Sequence, residues 1–255
     1  MPLNTRMQIN QISVVVPVRN EQGNVARLIA EIDAALKHMT HEIIYVDDGS
    51  TDDTHNQLKA LQTQFTQLKI LRHAHSCGQS TAVRTGVKAA QYAWVATLDG
   101  DGQNDPADIP KLMAAITDGI DLVGGNRRAS RRDTWIKRMS SVVANTVRSK
   151  MLRDDTPDTG CGLKLFKREA FLDLPYFDHM HRFLPALIKR RGGKIVSVPV
   201  AHRNREHGTS NYGTIDRLLV GVVDLFGVAW LQRRAKIPQI VPQIIEDQII
   251  ENRTD

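Results

Sequence analysis

Apolar residues fall along this chain in short β-branched runs that alternate with longer stretches of helical spacing. The first run, Ile12-Ser13-Val14-Val15-Val16-Pro17, predicts a strand that its proline stops. Beyond Asn20, a residue suited to capping, Val25, Leu28, Ile29, Ile32 and Leu36 keep the three- and four-residue spacing of a helix. Residues 42–46 predict a second strand that ends at Asp47-Asp48-Gly49-Ser50, and a capped helix starting near Thr51 carries Leu58 and Leu61. A third strand at 68–72 leads through a loop with Gly78 into a helix over about 80–90. The fourth strand, 93–98, runs out at Asp99.

Four strand-to-helix alternations predict an α/β domain with a mostly parallel central sheet flanked by helices on both faces. In such a sheet the ligand lies beyond the carboxyl ends of the strands, where the polar loops 17–21, 47–50 and 99–103 would line one crevice. The loop after the first strand reads Pro-Val-Arg-Asn-Glu-Gln-Gly and lacks G-x-G-x-x-G, which argues against a dinucleotide site. The second half is less regular. Residues 121–125 and 194–200 read as strands, residues 135–152 as an amphipathic helix with a basic face, and residues 158–166 as a turn passing into a short strand. A polar loop spans 202–213.

The string Asp99-Gly100-Asp101-Gly102-Gln103 carries the clearest chemistry. Residues two apart on an extended chain point the same way, so Asp99 and Asp101 can converge, and glycine between them lets a ligand approach the backbone. Carboxylate and amide oxygens suit Mg²⁺ or Mn²⁺. The competing reading is a polar turn, which Asp and Gly supply often. With 255 residues, 41% of them apolar, the chain can bury a sizeable core, and its net charge of +6 points to anionic partners. Aromatics at 5%, and basic residues interleaved with other polar motifs, argue against a nucleic-acid surface. Cys77 and Cys161 show neither metal spacing nor a disulfide framework, which predicts a reducing compartment. No leader-like apolar segment opens the chain, and the stretch 218–231, interrupted by Asp224, falls short of a membrane span.

Six strings in order, VVVPVRNE, VDDGSTDDT, LDGDGQNDP, GNRR with WIKR, DTGCGLKLFKREAF and REHGTSNYG, resemble the family 2 glycosyltransferases of GT-A fold. The resemblance is greatest to the branch of dolichol-phosphate mannose synthase and other polyprenyl-phosphate glycosyltransferases. It covers about residues 11–215. It implies an inverting transfer of a hexose, mannose-like, from a GDP or UDP donor to a polyprenyl phosphate, with Mg²⁺ or Mn²⁺ as cofactor. It assigns Pro17, Arg19 and Glu21 to the nucleotide pocket, Val46 and Asp48 to the base region, and the Gly100 backbone to the nucleotide. Asp99, Asp101 and Gln103 match the metal-binding D-x-D-x-Q, and Arg127, Arg138 and Arg205 match phosphate-binding positions. Asp101 and Arg205 carry the catalytic role in this reading. Asn211 stands where the family's last motif has lysine.

The resulting organisation is a catalytic domain over 1–213, an apolar helix over 214–236 that either lies in a membrane interface or packs on the domain or a second copy, and a tail over 237–255. The expected location is the inner face of the membrane, peripherally bound. Transfer to a hydroxyl of a lipid or polysaccharide is the enzymatic alternative; a nucleotide-binding scaffold without activity is the alternative of another class. No histidine pair has zinc-site spacing. His181 and His207 flank motifs, and Asp158 reads equally as a turn-capping carboxylate or as a group that orients an acceptor or an arginine.

Overall fold

The computed structural model describes residues 9–127, 148–154, 156–204 and 214–238. Its frame is a seven-stranded sheet. In chain order the elements are β1 (Gln11–Val18), α1 (Val25–Leu36), β2 (Thr40–Asp47), α2 (Thr54–Leu61), β3 (Leu68–Arg72), α3 (Gln79–Ala89) and β4 (Trp94–Thr97). There follow α4 (Ile109–Ala114), β5 (Ile120–Asn126), β6 (Lys164–Lys167), α5 (Arg168–Leu172), α6 (Leu184–Arg190), β7 (Lys194–Pro199) and α7 (Thr214–Arg234). The strand order is β3-β2-β1-β4-β6-β5-β7. β1 to β4 run parallel, β7 runs parallel to β5, and β6 is antiparallel to both β4 and β5.

Strand periodicity divides the core in two. Val14 and Val16 of β1, Ile43 and Tyr45 of β2 and Ala96 of β4 pack on one side with Val25, Leu28, Ile29, Ile32 and Leu36 of α1. Val15, Ile44, Val46 and Val95, the residues between, pack on the other side with Ala82, Val83 and Val87 of α3 and with α5 and α6. Burial on both faces explains why these strands read as unbroken apolar runs. Close approach of α3 depends on Gly86: a β-carbon there would lie 2.4 Å from the Val15 side chain.

The elements over 11–97 fall where the sequence pattern puts them, with one local difference. Asn20 does not cap α1. It takes a left-handed φ of 56° and its side-chain Oδ1 accepts from the Thr51 amide at 2.8 Å, so it ties the first loop to the second. α1 starts after Asn24 instead. Of the basic helix expected over 135–152, residues 148–152 are helical and the rest lies outside the described residues. The antiparallel insertion of β6 is not legible in the apolar pattern, since a buried strand looks the same in either direction.

Glu42 of β2 joins β1, β3 and the turn before β4. Its buried carboxylate accepts from Ser13 Oγ at 2.6 Å, from the Gln91 amide at 2.7 Å and from Gln91 Nε2 at 3.1 Å, and Lys69 Nζ lies 2.7 Å away. Burial pushes the carboxyl up, but the bonds from Gln91, Lys69 and Ser13 together outweigh it and hold it below the ordinary value of 4.5. Glu42→Gln is expected to lose about 2 kcal/mol in urea unfolding at pH 7. Because the folded carboxyl is the stronger acid, that loss is full above 4.5 and shrinks as pH falls through the folded value.

Candidate active site

The parallel strands end on one edge, and the reversed β6 begins there. Thr97, the last residue of β4, pairs with Lys164, the first of β6, and Thr97 Oγ1 donates to the Gly162 carbonyl at 2.9 Å. The turn 158–163 is therefore delivered to the same edge as Pro17, Asp99 and Arg127. An open cavity of about 540 Å³ forms there, with Pro17, Asp99, Arg127, Asp158, Lys164 and His181 in its wall. That size is in the range of small-molecule sites.

The acidic string forms a closed loop. Asp101 Oδ1 accepts from the Gln103 amide at 3.1 Å, Asn104 Oδ1 accepts from the Asp99 amide at 3.3 Å, and the Gln103 carbonyl accepts from the Arg203 amide at 2.9 Å. Arg203 also pairs with Glu31 and Asp105, at 2.7 and 2.8 Å, so α1 and the chain after β7 brace the loop. Gly102 takes a φ of 72°, which favours glycine. Gly100 is needed for space, since a β-carbon would meet Val18 at 2.5 Å.

Asp99 Oδ1 accepts from Gln79 Nε2 at 2.8 Å. Its other oxygen lies against Gly162, where a β-carbon would sit 2.1 Å away. Burial and the neighbouring Asp101 push the Asp99 carboxyl above its ordinary value, against the pull of Lys164, Arg127 and Gln79. The carboxylate oxygens of Asp99 and Asp101 and the amide oxygen of Gln103 are hard donors of the type that suits Mg²⁺ or Mn²⁺, and Gly162 leaves room at the Asp99 carboxylate.

Arg127 and Asp158 form a bidentate pair: Arg127 Nε and Nη2 donate to Oδ2 and Oδ1 at 2.9 and 3.0 Å, and the Arg127 amide adds a bond at 3.1 Å. Asp158 thus serves as the arginine's partner. Lys164, 5% exposed, donates to the Cys161 carbonyl. Burial pulls its ammonium below the ordinary lysine value, with Cys161 and Asp99 acting in the other direction.

The other assigned residues lie elsewhere. Arg19 is exposed beside the first loop. Glu21 accepts from Asn24 Nδ2 at 2.7 Å, and its amide donates to Thr54 Oγ1. The Val46 side chain is inside the second core cluster. Asp48 is a hub for the loop after β3: its carboxylate accepts from Ser76 Oγ and the amides of Cys77 and Gly78 at 2.7 to 3.0 Å, and meets His73 Nδ1 at 2.7 Å. Asp48, His73 and Cys77 bring their donor atoms within 4.8 Å of one another. Those Asp48 oxygens are already taken, and His73 Nε2 is bonded to Thr85 Oγ1. Arg138, Arg205, His207 and Asn211 lie outside the described residues.

The sequence profile of the family described as glycosyl transferase family 2 matches residues 13–174. The chain belongs to that family. Among similar proteins of the family, the dodecaprenyl-phosphate galacturonate synthase of Rhizobium johnstonii is 33% identical over 236 residues, 90% of this chain and 70% of that protein. The undecaprenyl-phosphate 4-deoxy-4-formamido-L-arabinose transferase of Proteus mirabilis is 32% identical over 213 residues, 82% of this chain and 65% of that protein. Among solved structures, glucosyl-3-phosphoglycerate synthase of Mycobacterium tuberculosis superposes with a TM-score of 0.65 at 22% identity, over 90% of this chain and 82% of that one. Another crystal structure of that enzyme contains Mn²⁺, UDP and glucosyl-3-phosphoglycerate. The fold is GT-A.

Within this family 2 site, sequence reading passed over Lys164, Arg182, Gln79 and Arg203. Each sits in a string already singled out or next to one, but as one charged or polar residue among many. Asp158→Asn removes the carboxylate that neutralises buried Arg127, and is expected to cost about 3 kcal/mol or more in chemical unfolding, with the lost stability read from the denaturation midpoint.

Proposed function

We propose that this chain moves a sugar from a nucleoside diphosphate donor to a polyprenyl phosphate, with inversion at the anomeric carbon. The observation that carries the reading is the acid and base content of the cavity. Its two described carboxylates are Asp99, in the loop suited to a metal, and Asp158, engaged with Arg127. A hydroxyl acceptor needs a base to take its proton, whereas a phosphate is already an anion and needs none. Arg127, Arg148, Lys164 and Arg182 supply a cationic wall suited to phosphate groups.

In this reading a phosphate oxygen of the acceptor attacks the anomeric carbon as the bond to the nucleoside diphosphate breaks on the opposite face, so one displacement inverts the centre. A Mg²⁺ or Mn²⁺ held by Asp99, Asp101 and Gln103 would supply positive charge to the departing diphosphate. Pro17, Arg19, Glu21, Val46, Asp48 and the Gly100 backbone form the nucleotide side in this proposal, with the Val46 and Asp48 contributions coming from the strand end, since their side chains face inward. Arg138 and Arg205 complete the phosphate contacts. The polyprenyl-phosphate relatives support the acceptor, and their names carry galacturonate and 4-deoxy-4-formamido-L-arabinose where the resemblance implies a mannose-like sugar.

The surface of α7 supports a peripheral place at the inner face of a membrane, with 1–213 as the catalytic unit and 214–236 as the contact. Val223 is 71% exposed and Phe226 64%, with Val222 and Trp230 beside them, while Val228 and Ala229 face the core. Arg233, Arg234 and Lys236 follow. An apolar face flanked by cations suits an anionic lipid interface. No described helix is long and apolar enough to cross a membrane.

A donor screen with GDP-mannose, UDP-galacturonate and UDP-linked 4-deoxy-4-formamido-L-arabinose against a short polyprenyl phosphate is expected to show transfer from one donor. Asp101→Ala should lower that rate at least ~100-fold, the scale of losing one strong transition-state contact. Transfer only to a lipid hydroxyl, or at undiminished rate by Asp101→Ala, would overturn the acceptor or the metal assignment respectively. The double variant Phe226→Asp/Trp230→Asp is expected to bind vesicles of anionic lipid at least ~10-fold more weakly in sedimentation, from the apolar area withdrawn.

A further inference from the structure

We infer that His181 is a fixed neutral donor: its imidazole presents Nε2–H to a phosphate oxygen of the bound substrate and takes no part in proton transfer. The inference rests on the proposed phosphate chemistry for the identity of the ligand, and on this chain's own hydrogen bonds for the protonation pattern.

His181 lies in a 3₁₀ turn, Met180–Arg182, whose two flanks are pinned. The residue before the turn, His179, takes a left-handed φ of 61°, and its Nδ1 lies 3.2 Å from Asp224 of α7. On the other side, Ser80 in the first turn of α3 is almost fully buried and meets His181 twice: the His181 amide donates to Ser80 Oγ at 3.3 Å, and His181 Nδ1 lies 2.7 Å from the same oxygen. The amide can only donate, so it occupies one lone pair of the hydroxyl. A serine hydroxyl has one proton to give. Among the described residues its one acceptor is His181 Nδ1, so Nδ1 accepts and the ring proton resides on Nε2.

The ring's neighbours keep it in that form. The charged or titratable groups that face it are Lys164 of β6 and, on its own segment, Arg182 and His179, with Asp224 of α7 behind His179. Burial, and after it the neighbouring Lys164, Arg182 and His179, hold the ring's pKa well below the ordinary histidine value. A ring whose Nδ1 lone pair is taken by Ser80 cannot act as a base at Nδ1, and at Nε2 it can only donate. Since His181 is in the cavity wall with Asp99, Arg127 and Lys164, that donor adds an oriented, uncharged hydrogen bond beside the cations of the wall.

Two phosphates could receive it, the diphosphate of the donor or the phosphate of the acceptor, and one experiment separates them. The full chain, labelled with ¹⁵N at histidine, is followed by long-range ¹H–¹⁵N spectra from pH 5.5 to 8, with His181 assigned by its absence in His181→Gln. The expected pattern is the Nε2–H tautomer across the whole range. Addition of UDP with Mg²⁺, or of a short polyprenyl phosphate, should shift the Nε2 resonance, and whichever compound does so identifies the bound phosphate. In kinetics, His181→Ala should raise KM for that substrate ~10- to 100-fold, the usual scale of a hydrogen bond to a charged group. His181→Gln, which keeps an N–H donor, should stay within a few-fold of wild type with an unchanged pH profile. An Nδ1–H tautomer, an imidazolium at pH 7, the absence of a shift with both phosphates, or loss of a pH-dependent limb in His181→Gln would each overturn the inference. The spectra need no turnover, so a failed donor screen would sink the proposed function while leaving the tautomer decided.

Discussion

The direction of β6 is the constraint on which the rest of the site depends. A sheet built only of parallel strands would place the start of each strand at the edge opposite the ligand. Because β6 runs against β4 and β5, its first residue, Lys164, stands beside the last residue of β4, and the turn 158–163 is carried to the loops after β1, β4 and β5. Arg127 leaves β5 at the same edge and meets Asp158 there. Backbone pairing thus brings together groups far apart in the chain, through the ladder hydrogen bonds of β4, β6 and β5.

Within that wall, charge is distributed in close opposition. Burial and Asp101 raise the cost of ionising Asp99, and Lys164 and Arg127 act against it; Asp158 in turn neutralises Arg127. Groups that are expensive to desolvate alone are tolerated because each has an opposite charge nearby. The same arrangement prepares the cavity for polyanionic ligands, since phosphate groups can be matched by cations already held in place. Glycines make the approach possible: Gly162 leaves room for the Asp99 carboxylate, and Gly100 lets the acidic loop lie against β1.

Two polar hubs make the loops rigid enough to present such a site. Asp48 gathers the amides and hydroxyl of 76–78, which orients the start of α3 and with it Gln79 and Ser80. Arg203 clamps the acidic loop against α1. Gln79 bonds Asp99 and Ser80 bonds His181, so adjacent residues of one helix position both sides of the cavity. The apolar face of α7 is joined to the same wall through Asp224 and His179, which places the surface suited to a lipid interface one contact away from the cavity.

The strands and helices of the first hundred residues, the two-sided core and the location of ligand loops at one sheet edge are legible in the sequence because they follow from local pattern: the unbroken apolar run Val14 to Val16 and helical spacing in Val25 to Leu36. The family 2 resemblance was legible too, since it rests on ordered strings. Asp99 and Arg127 could be picked out by their motifs. Partnership could not. That Asp158 belongs to Arg127, that Asp48 turns inward to hold a loop, that Asn20 reaches Thr51 rather than capping α1, and that Ser80 fixes the proton on His181 are all contacts between residues 28 or more positions apart. Local composition records which groups can bond, whereas the pairing of the strands, the reversed β6 among them, and the packing of α3 against the sheet decide which of them meet.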